Sequence, residues 1–324
     1  MKKLMTLFYQ KARRNRSASY IKNRITALPI TLRMIHPQKT ILLTGCGRSG
    51  TTWLGNIIAA CRGFGSVFEP FDYRKVPQAG DLPLHAYLRP QGNYPQYKPF
   101  IERVLGARIH NAWIDMENCK IVRWRYLVKA IRANMMLAWI DRTFHCPIVY
   151  MVRHPCAVVL SNTKLNWEAH LDILLSQPEL VEDYLAPFES IIREAKTPIQ
   201  EHAIAWCVEN MVPLRQFADH DWVFCTYEEL CRDAESEVNR IFARLGLKRT
   251  KRVDQAVGRP SRQTRFDSAI RMDKDPVSDW QNHLTKKEIS EILAIVSEFG
   301  IELYGEEVMP VHSYVRRLRG DTES

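Results

Sequence analysis

The sequence predicts a single α/β domain with a central parallel sheet flanked by helices, and three observations carry that expectation. Short apolar runs recur at 41–44, 147–152 and 221–226, the continuous pattern of strands buried on both faces. Between them lie stretches of helical spacing, such as 204–214, where Ile204, Ala205, Val208, Met211, Val212 and Leu214 mark one apolar face. The first run leads straight into Gly45-Cys46-Gly47-Arg48-Ser49-Gly50-Thr51-Thr52, after which Trp53, Leu54, Ile57 and Ile58 return at helical spacing. Strand, glycine-rich turn and helix make a P-loop-like unit. Its backbone N–H groups and helix dipole can cradle a phosphate or another tetrahedral dianion.

The loop narrows the choice of anion. Gly45 and Gly50 have the spacing of a nucleotide triphosphatase loop, but the lysine position holds Thr51, and the only cation within the loop is Arg48. GxxRSGTTWL instead resembles the 5′-phosphosulfate loop of sulfotransferases that use 3′-phosphoadenosine 5′-phosphosulfate (PAPS), with a motif style like that of the carbohydrate sulfotransferases. The resemblance implies that Arg48 neutralises charge on the bridging oxygen as the sulfuryl group leaves. It likewise implies that Gly47, Ser49, Gly50, Thr51 and Thr52 hold the 5′-phosphate and that Trp53 contacts the adenine.

At 324 residues the chain suits one large domain, and 46% apolar with 25% charged residues is an ordinary globular composition. The net charge of +10 is concentrated at one end. Lys2, Lys3, Lys11, Arg13, Arg14, Arg16, Lys22, Arg24 and Arg33 occupy residues 1–38 without a single acid, which leaves the rest nearly neutral. The expected organisation is a basic amphipathic segment at 1–38, the catalytic domain at 39–305 and a polar, basic tail at 306–324. The first segment reads either as a contact with an anionic membrane surface or as a solvated tail. Nucleic acid is not expected as a partner, because the body shows no recognition motif or basic stripe. Eight cysteines lack any C-x-x-C pair and mostly sit in apolar runs, the usage of a reducing compartment. No window approaches the length of a membrane span, so a cytoplasmic protein, peripheral on the membrane or free, is the expectation. Cys46 reads as a spacer within the loop.

The remaining elements follow in order. A short strand at 66–68 delivers Glu69, with Pro70 ending the ladder. In carbohydrate sulfotransferases with a comparable (Y/F)EP stretch a Glu at this point is the base, so the resemblance assigns that role to Glu69. Residues 72–111 are rich in Pro, Tyr and Gly, as in a binding insertion or a packed loop. A strand is expected at 119–127, with Arg123 and Arg125 on one face, then a helix at 128–144. In small-molecule sulfotransferases the comparable strand ends in K-x-H, but no His lies between His110 and His145.

The strand at 147–152 delivers Arg153 to the carboxyl edge, and two helical turns bring Ser161 back to the same side. This pair resembles the family's 3′-phosphate motif. Residues 163–200 read as a lid over the acceptor, with His170 on its surface. Tyr227-Glu228-Glu229-Leu230 resembles the family's Y-E-[DE]-L turn, whose Tyr lies near adenine, and starts a helix to Leu245. The late stretch from Gly258 to Lys274 holds Arg259, Arg262, Arg265, Arg271 and Lys274 before Trp280-Gln281-Asn282-His283-Leu284-Thr285, like the family loop that closes over the nucleotide. The resemblance assigns nucleotide contacts to Lys274 and Trp280. A helix at 286–299 follows.

The function this implies is transfer of a sulfuryl group from PAPS to an acceptor hydroxyl, giving adenosine 3′,5′-bisphosphate (PAP), with no metal. A carbohydrate acceptor, polysaccharide or glycolipid, is expected first and a small alcohol second. A nucleotide kinase or other triphosphatase is the remaining enzymatic alternative, and a membrane-surface scaffold the non-catalytic one.

Overall fold

The computed structural model describes residues 36–118, 123–259 and 275–320. Five strands, β1 (Thr40–Thr44), β2 (Phe64–Phe68), β3 (Arg125–Lys129), β4 (Ile148–Val152) and β5 (Val223–Thr226), form one sheet in the order β2-β3-β1-β4-β5. Every pairing is parallel. Both faces are covered, which is why the strands read as unbroken apolar runs. Leu42, Tyr126, Val128, Tyr150 and Phe224 enter one core with the helix Pro198–Gln216, whereas Ile41, Leu43, Leu127, Met151 and Cys225 enter the other with the helices Thr51–Ala59 and Ala234–Arg244. The period of two along each strand thus divides its side chains between two buried layers.

The structure corrects several boundaries. The third strand is Arg125–Lys129, not 119–127; of the expected span, 119–122 lie outside the described residues. It starts late because Trp124 N–H and Arg125 N–H both donate to Gly63 O, which sets the register against β2. It ends late because Lys129 pairs with Leu43 on one side and with Phe68 on the other. Two ladders therefore overrule the helical spacing of 128–144, and the helix begins only at Leu137. β2 starts at Phe64, two residues before the expected 66–68. The single helix expected from Tyr227 to Leu245 is two, Tyr227–Arg232 and Ala234–Arg244, because Asp233 accepts from Ser236 N–H and caps the second.

The two irregular stretches are built, not loose. Val76, Leu82, Leu84, Ala86, Tyr87 and Leu88 of the 72–111 insertion are buried. Its Arg89 pairs with Glu182 and Asp183 of the 163–200 stretch, and Gln177 accepts from Tyr87 N–H. The tail is not purely polar either: His312–Arg319 is a helix whose Val315 is buried and whose Arg319 bonds Glu229 and Glu237. Among the described residues no helix is long and apolar enough to cross a membrane.

Candidate active site

The glycine-rich loop crosses the carboxyl edge of the sheet so closely that only glycine fits. At Gly45, with φ 151°, a Cβ would stand 2.0 Å from Met151 O; at Gly50, with φ 90°, it would stand 2.4 Å from the Tyr227 ring. Arg48 also lies in the left-handed region, at φ 72°. Alternating hands of backbone turn successive N–H groups inward as a nest. The N–H groups of Gly50, Thr51 and Thr52 find no backbone acceptor among the described residues, while Ser49 N–H is used by Cys46 O.

The two motifs of the sequence meet directly. Arg48 Nε donates to Ser161 Oγ at 2.9 Å, and Arg153 Nη1 donates to Arg48 O at 3.1 Å. Arg153 Nη2 donates to Pro276 O, and its guanidinium lies 4.1 Å over the Tyr227 ring. Tyr227 meets Trp53 edge to face at 6.2 Å, and Trp53 Nε1 donates to Val257 O. Arg48, Trp53, Arg153, Ser161 and Tyr227 are therefore linked by direct contacts around the loop of Gly47, Ser49, Gly50, Thr51 and Thr52. Trp280 is different. It is only 2% exposed and stacks on His154 with ring centroids 4.4 Å apart, so it backs the site and presents no open face. Lys274 and residues 260–273 of the late loop lie outside the described residues.

Behind Arg153 stands a buried polar network. Trp206 Nε1 donates to Arg153 O, His154 N–H donates to Glu228 Oε1, and Tyr304 Oη donates to Glu228 Oε2. Burial raises the Glu228 carboxyl above its usual value, against those two donors. His154 Nδ1 accepts from Cys156 N–H, so its proton sits on Nε2, which faces Gly305 O at 3.2 Å. Burial, ahead of every other influence, lowers His154 from the usual 6.5 to about 4. The unfolded chain therefore binds a proton here before the folded one does. Stability conferred by the neutral ring is complete above about pH 6.5 and is lost as pH falls towards 4, to a limit of ~3 kcal/mol. Thermal melts from pH 7 to 4 check this: the acid-induced fall should shrink in His154→Gln, and an unchanged slope refutes it.

At the other end of the loop Glu69 leaves β2 with φ 44°. Lys129 Nζ donates to its Oε1 at 2.5 Å and Ile131 N–H to its Oε2 at 3.0 Å. Arg132 spans Glu69 and Asp72, and Asp72 also receives Arg74 through two nitrogens. Burial alone would raise the Asp72 carboxyl, but the Arg74 hydrogen bonds and the Arg132 charge carry it below its usual value. With the strand ending at Lys129, the chain there reads Lys129-Ala130-Ile131, with no histidine.

Sequence reasoning missed Lys129, because the periodicity of 128–144 assigned it to a helix. It missed His85 and Glu209 altogether. His85 Nδ1 stands 3.2 Å from Glu209 Oε1, off the line of a good hydrogen bond, and Asn134 Nδ2 donates to Glu209 Oε2. Asn134 Oδ1 in turn accepts from Thr44 Oγ1, at the end of β1. No spacing could have found this chain of contacts, since its members come from four separate segments. Cys46 is buried beside it, with Sγ accepting from Asn210 Nδ2, and is a packed core residue as much as a spacer. Burial first, then Glu209, raises its thiol well above the usual range. Arg123 is buried; Arg125 lies over the Phe64 ring at 5.0 Å, remote from the loop. Among the described residues no three His, Cys, Asp or Glu side chains gather as a metal site would require.

A family model described as Sulfotransferase domain matches residues 38–303. The chain belongs to the sulfotransferase family. A search of curated proteins finds no match. Among solved structures, the sulfotransferase domain from the curacin biosynthetic pathway is similar at 16% identity over 82% of this chain and 98% of that one, with a TM-score of 0.47. A mouse sulfotransferase complexed with PAP is similar at 15% identity over 89% and 91%, with a TM-score of 0.43. Retinol dehydratase in complex with retinol and PAP is similar at 14% identity over 86% and 85%, with a TM-score of 0.36.

Proposed function

We propose that this sulfotransferase uses PAPS as donor and a hydroxyl of a polysaccharide or glycolipid as acceptor, yielding a sulfate ester and PAP. The observation that carries the reading is the bond from Arg48 Nε to Ser161 Oγ, which joins the two anion-binding motifs into one clamp. The residues fit a bisphosphorylated nucleotide. Ser49 Oγ and Arg153 Nε are buried with no partner among the described residues, which leaves polar valences for an anion to fill. In this reading Gly47, Ser49, Gly50, Thr51 and Thr52 hold the 5′-phosphate, Arg153 and Ser161 the 3′-phosphate, and Trp53 with Tyr227 the adenine. Lys274 serves the phosphates from the late loop, and Trp280 supports them through His154.

PAPS, when bound, supplies a sulfuryl group already activated on a phosphate. Sulfuryl transfer, like phosphoryl transfer, is in-line and loose, so the protein works by positioning and by stabilising charge. Arg48 and the loop N–H groups face the developing charge on the leaving oxygen. Glu69, steadied by Lys129 and Ile131 N–H, accepts the acceptor's proton. The absence of a His between His110 and His145 supports this carboxylate base and the carbohydrate branch. The free cysteines among the described residues support a reducing, cytoplasmic setting, and the basic residues at 1–38 support contact with anionic lipid close to a glycolipid acceptor.

The test is mass-spectrometric transfer from PAPS onto a panel of polysaccharides and glycolipids, run in parallel with Glu69→Gln. Sulfation should fall by about a hundredfold in the variant, the ordinary worth of a positioned base, while PAP still binds. Intact sulfation by Glu69→Gln would eliminate it as the base.

A further inference from the structure

We propose that Trp167 is the stacking platform of an acceptor subsite for a pyranose ring, set against the reactive end of the donor loop. The inference rests on the sulfuryl-transfer reading and sharpens its substrate class. Trp167 is 43% exposed, yet its ring lies directly on the loop: a Cβ at Gly47 would stand 2.7 Å from Trp167 Cζ3 and 3.4 Å from Ile131 Cδ1. Ile131 N–H is the same group that holds Glu69 Oε2. Indole, loop and proposed base therefore converge on one place. The platform is also anchored. Trp167 N–H donates to Asn162 O in the helix that carries Ser161, and Asn166 turns the chain there at φ 50°.

A polar rim of Glu168, His170 and Arg74 stands beside this flat apolar face. His170 follows three residues later, also left-handed at φ 55°, with its Nδ1 3.5 Å from Glu168 and its ring 6.3 Å from that of His85. The charges of Arg74 and Arg132 bear on His170, and the Glu168 charge bears on Arg74. Tyr73, beside Arg74 in the chain, is the second large exposed aromatic at this end, at 42%. A pyranose offers what such a place can use: one face of C–H bonds for the indole and a rim of hydroxyls for planar guanidinium, carboxylate and imidazole groups. An alkyl alcohol would cover the indole but leave the rim unpaired, and a site built to bond hydroxyls discriminates strongly against a ligand that lacks them.

The test is direct binding of methyl β-D-glucopyranoside, methyl β-D-galactopyranoside and cellobiose to the full chain saturated with PAP. Saturation-transfer NMR and calorimetry would be applied to wild type, Trp167→Phe and Trp167→Ala. At least one sugar should bind, with Kd raised roughly thirtyfold or more in Trp167→Ala, as for loss of an aromatic anchor. Trp167→Phe should recover most of the affinity, and PAP affinity on the same samples should fall far less. Equal sugar affinity in wild type and Trp167→Ala overturns the proposal, as does no sugar binding, or n-octanol bound more tightly than any sugar. Thermal melts confirm that each variant is folded, and Trp167→Phe keeps the test decisive if the alanine variant is not. Trp167-dependent sugar binding without sulfate transfer from PAPS would instead sink the transfer reading and leave the platform standing.

Discussion

Arg48→Ala is expected to lower turnover at saturating PAPS by about a hundred- to a thousandfold, the loss that follows removal of one preorganised donor at a developing oxyanion. The size follows from the geometry. Arg48 stands inside the loop, its carbonyl held by Arg153 and its Nε by Ser161, so its guanidinium needs no reorganisation when charge appears on the leaving oxygen. Alanine removes that charge and leaves Ser161 Oγ without its donor. Arg48→Lys should lie between the two, because a lysine keeps the charge but not the planar fork that reaches Ser161. The measurement is single-turnover sulfation with PAPS above saturation, where a ground-state binding defect no longer limits the rate. Turnover near wild type in Arg48→Ala would show that this residue does not act on the leaving group.

Arg153→Ala should weaken binding of PAPS far more than that of adenosine 5′-phosphosulfate, which lacks the 3′-phosphate. Truncating one partner of a buried charged pair costs about 2–5 kcal/mol, or roughly thirtyfold to a few thousandfold in Kd. The structure adds a complication that the experiment must separate. Arg153 also props the loop through Arg48 O and the late segment through Pro276 O, so some loss is expected with either nucleotide. The part that depends on the 3′-phosphate is the difference between the two ligands, read by calorimetry on wild type and variant. Equal losses would refute the assignment and leave Arg153 as a brace.

Much of the loop region is legible without coordinates because it is local. Strand, loop and helix at 40–59 are contiguous, and so are β4, Arg153 and the helix to Ser161. Backbone geometry alone then decides that both motifs arrive at the carboxyl edge of a parallel sheet. Trp280 shows what local reading leaves open. Its motif marks the right neighbourhood, but whether an indole faces a ligand or a histidine depends on what packs behind it, and here His154 does.

The surroundings of Glu69 were legible only in part, and Lys129 shows why. Residues 128–144 carry a helical period that is real as far as it goes, yet ladders to both β1 and β2 claim Val128 and Lys129. Hydrogen bonds to strands more than fifty residues away outweigh a local preference of a few tenths of a kcal/mol per residue. That shift places the lysine against Glu69.

The sequence by itself thus determined the family, the α/β sheet and the glycine-rich loop between strand and helix, since each rests on residues close together in the chain. Only the tertiary structure decided what surrounds Glu69 and the loop. Glu69 with Lys129, His85 with Glu209, and Trp167 on Gly47 are pairs drawn from distant segments; the β2–β3 ladder brings the first together, and the packing of the two long insertions against the sheet and its helices brings the other two, rather than any pattern along the chain.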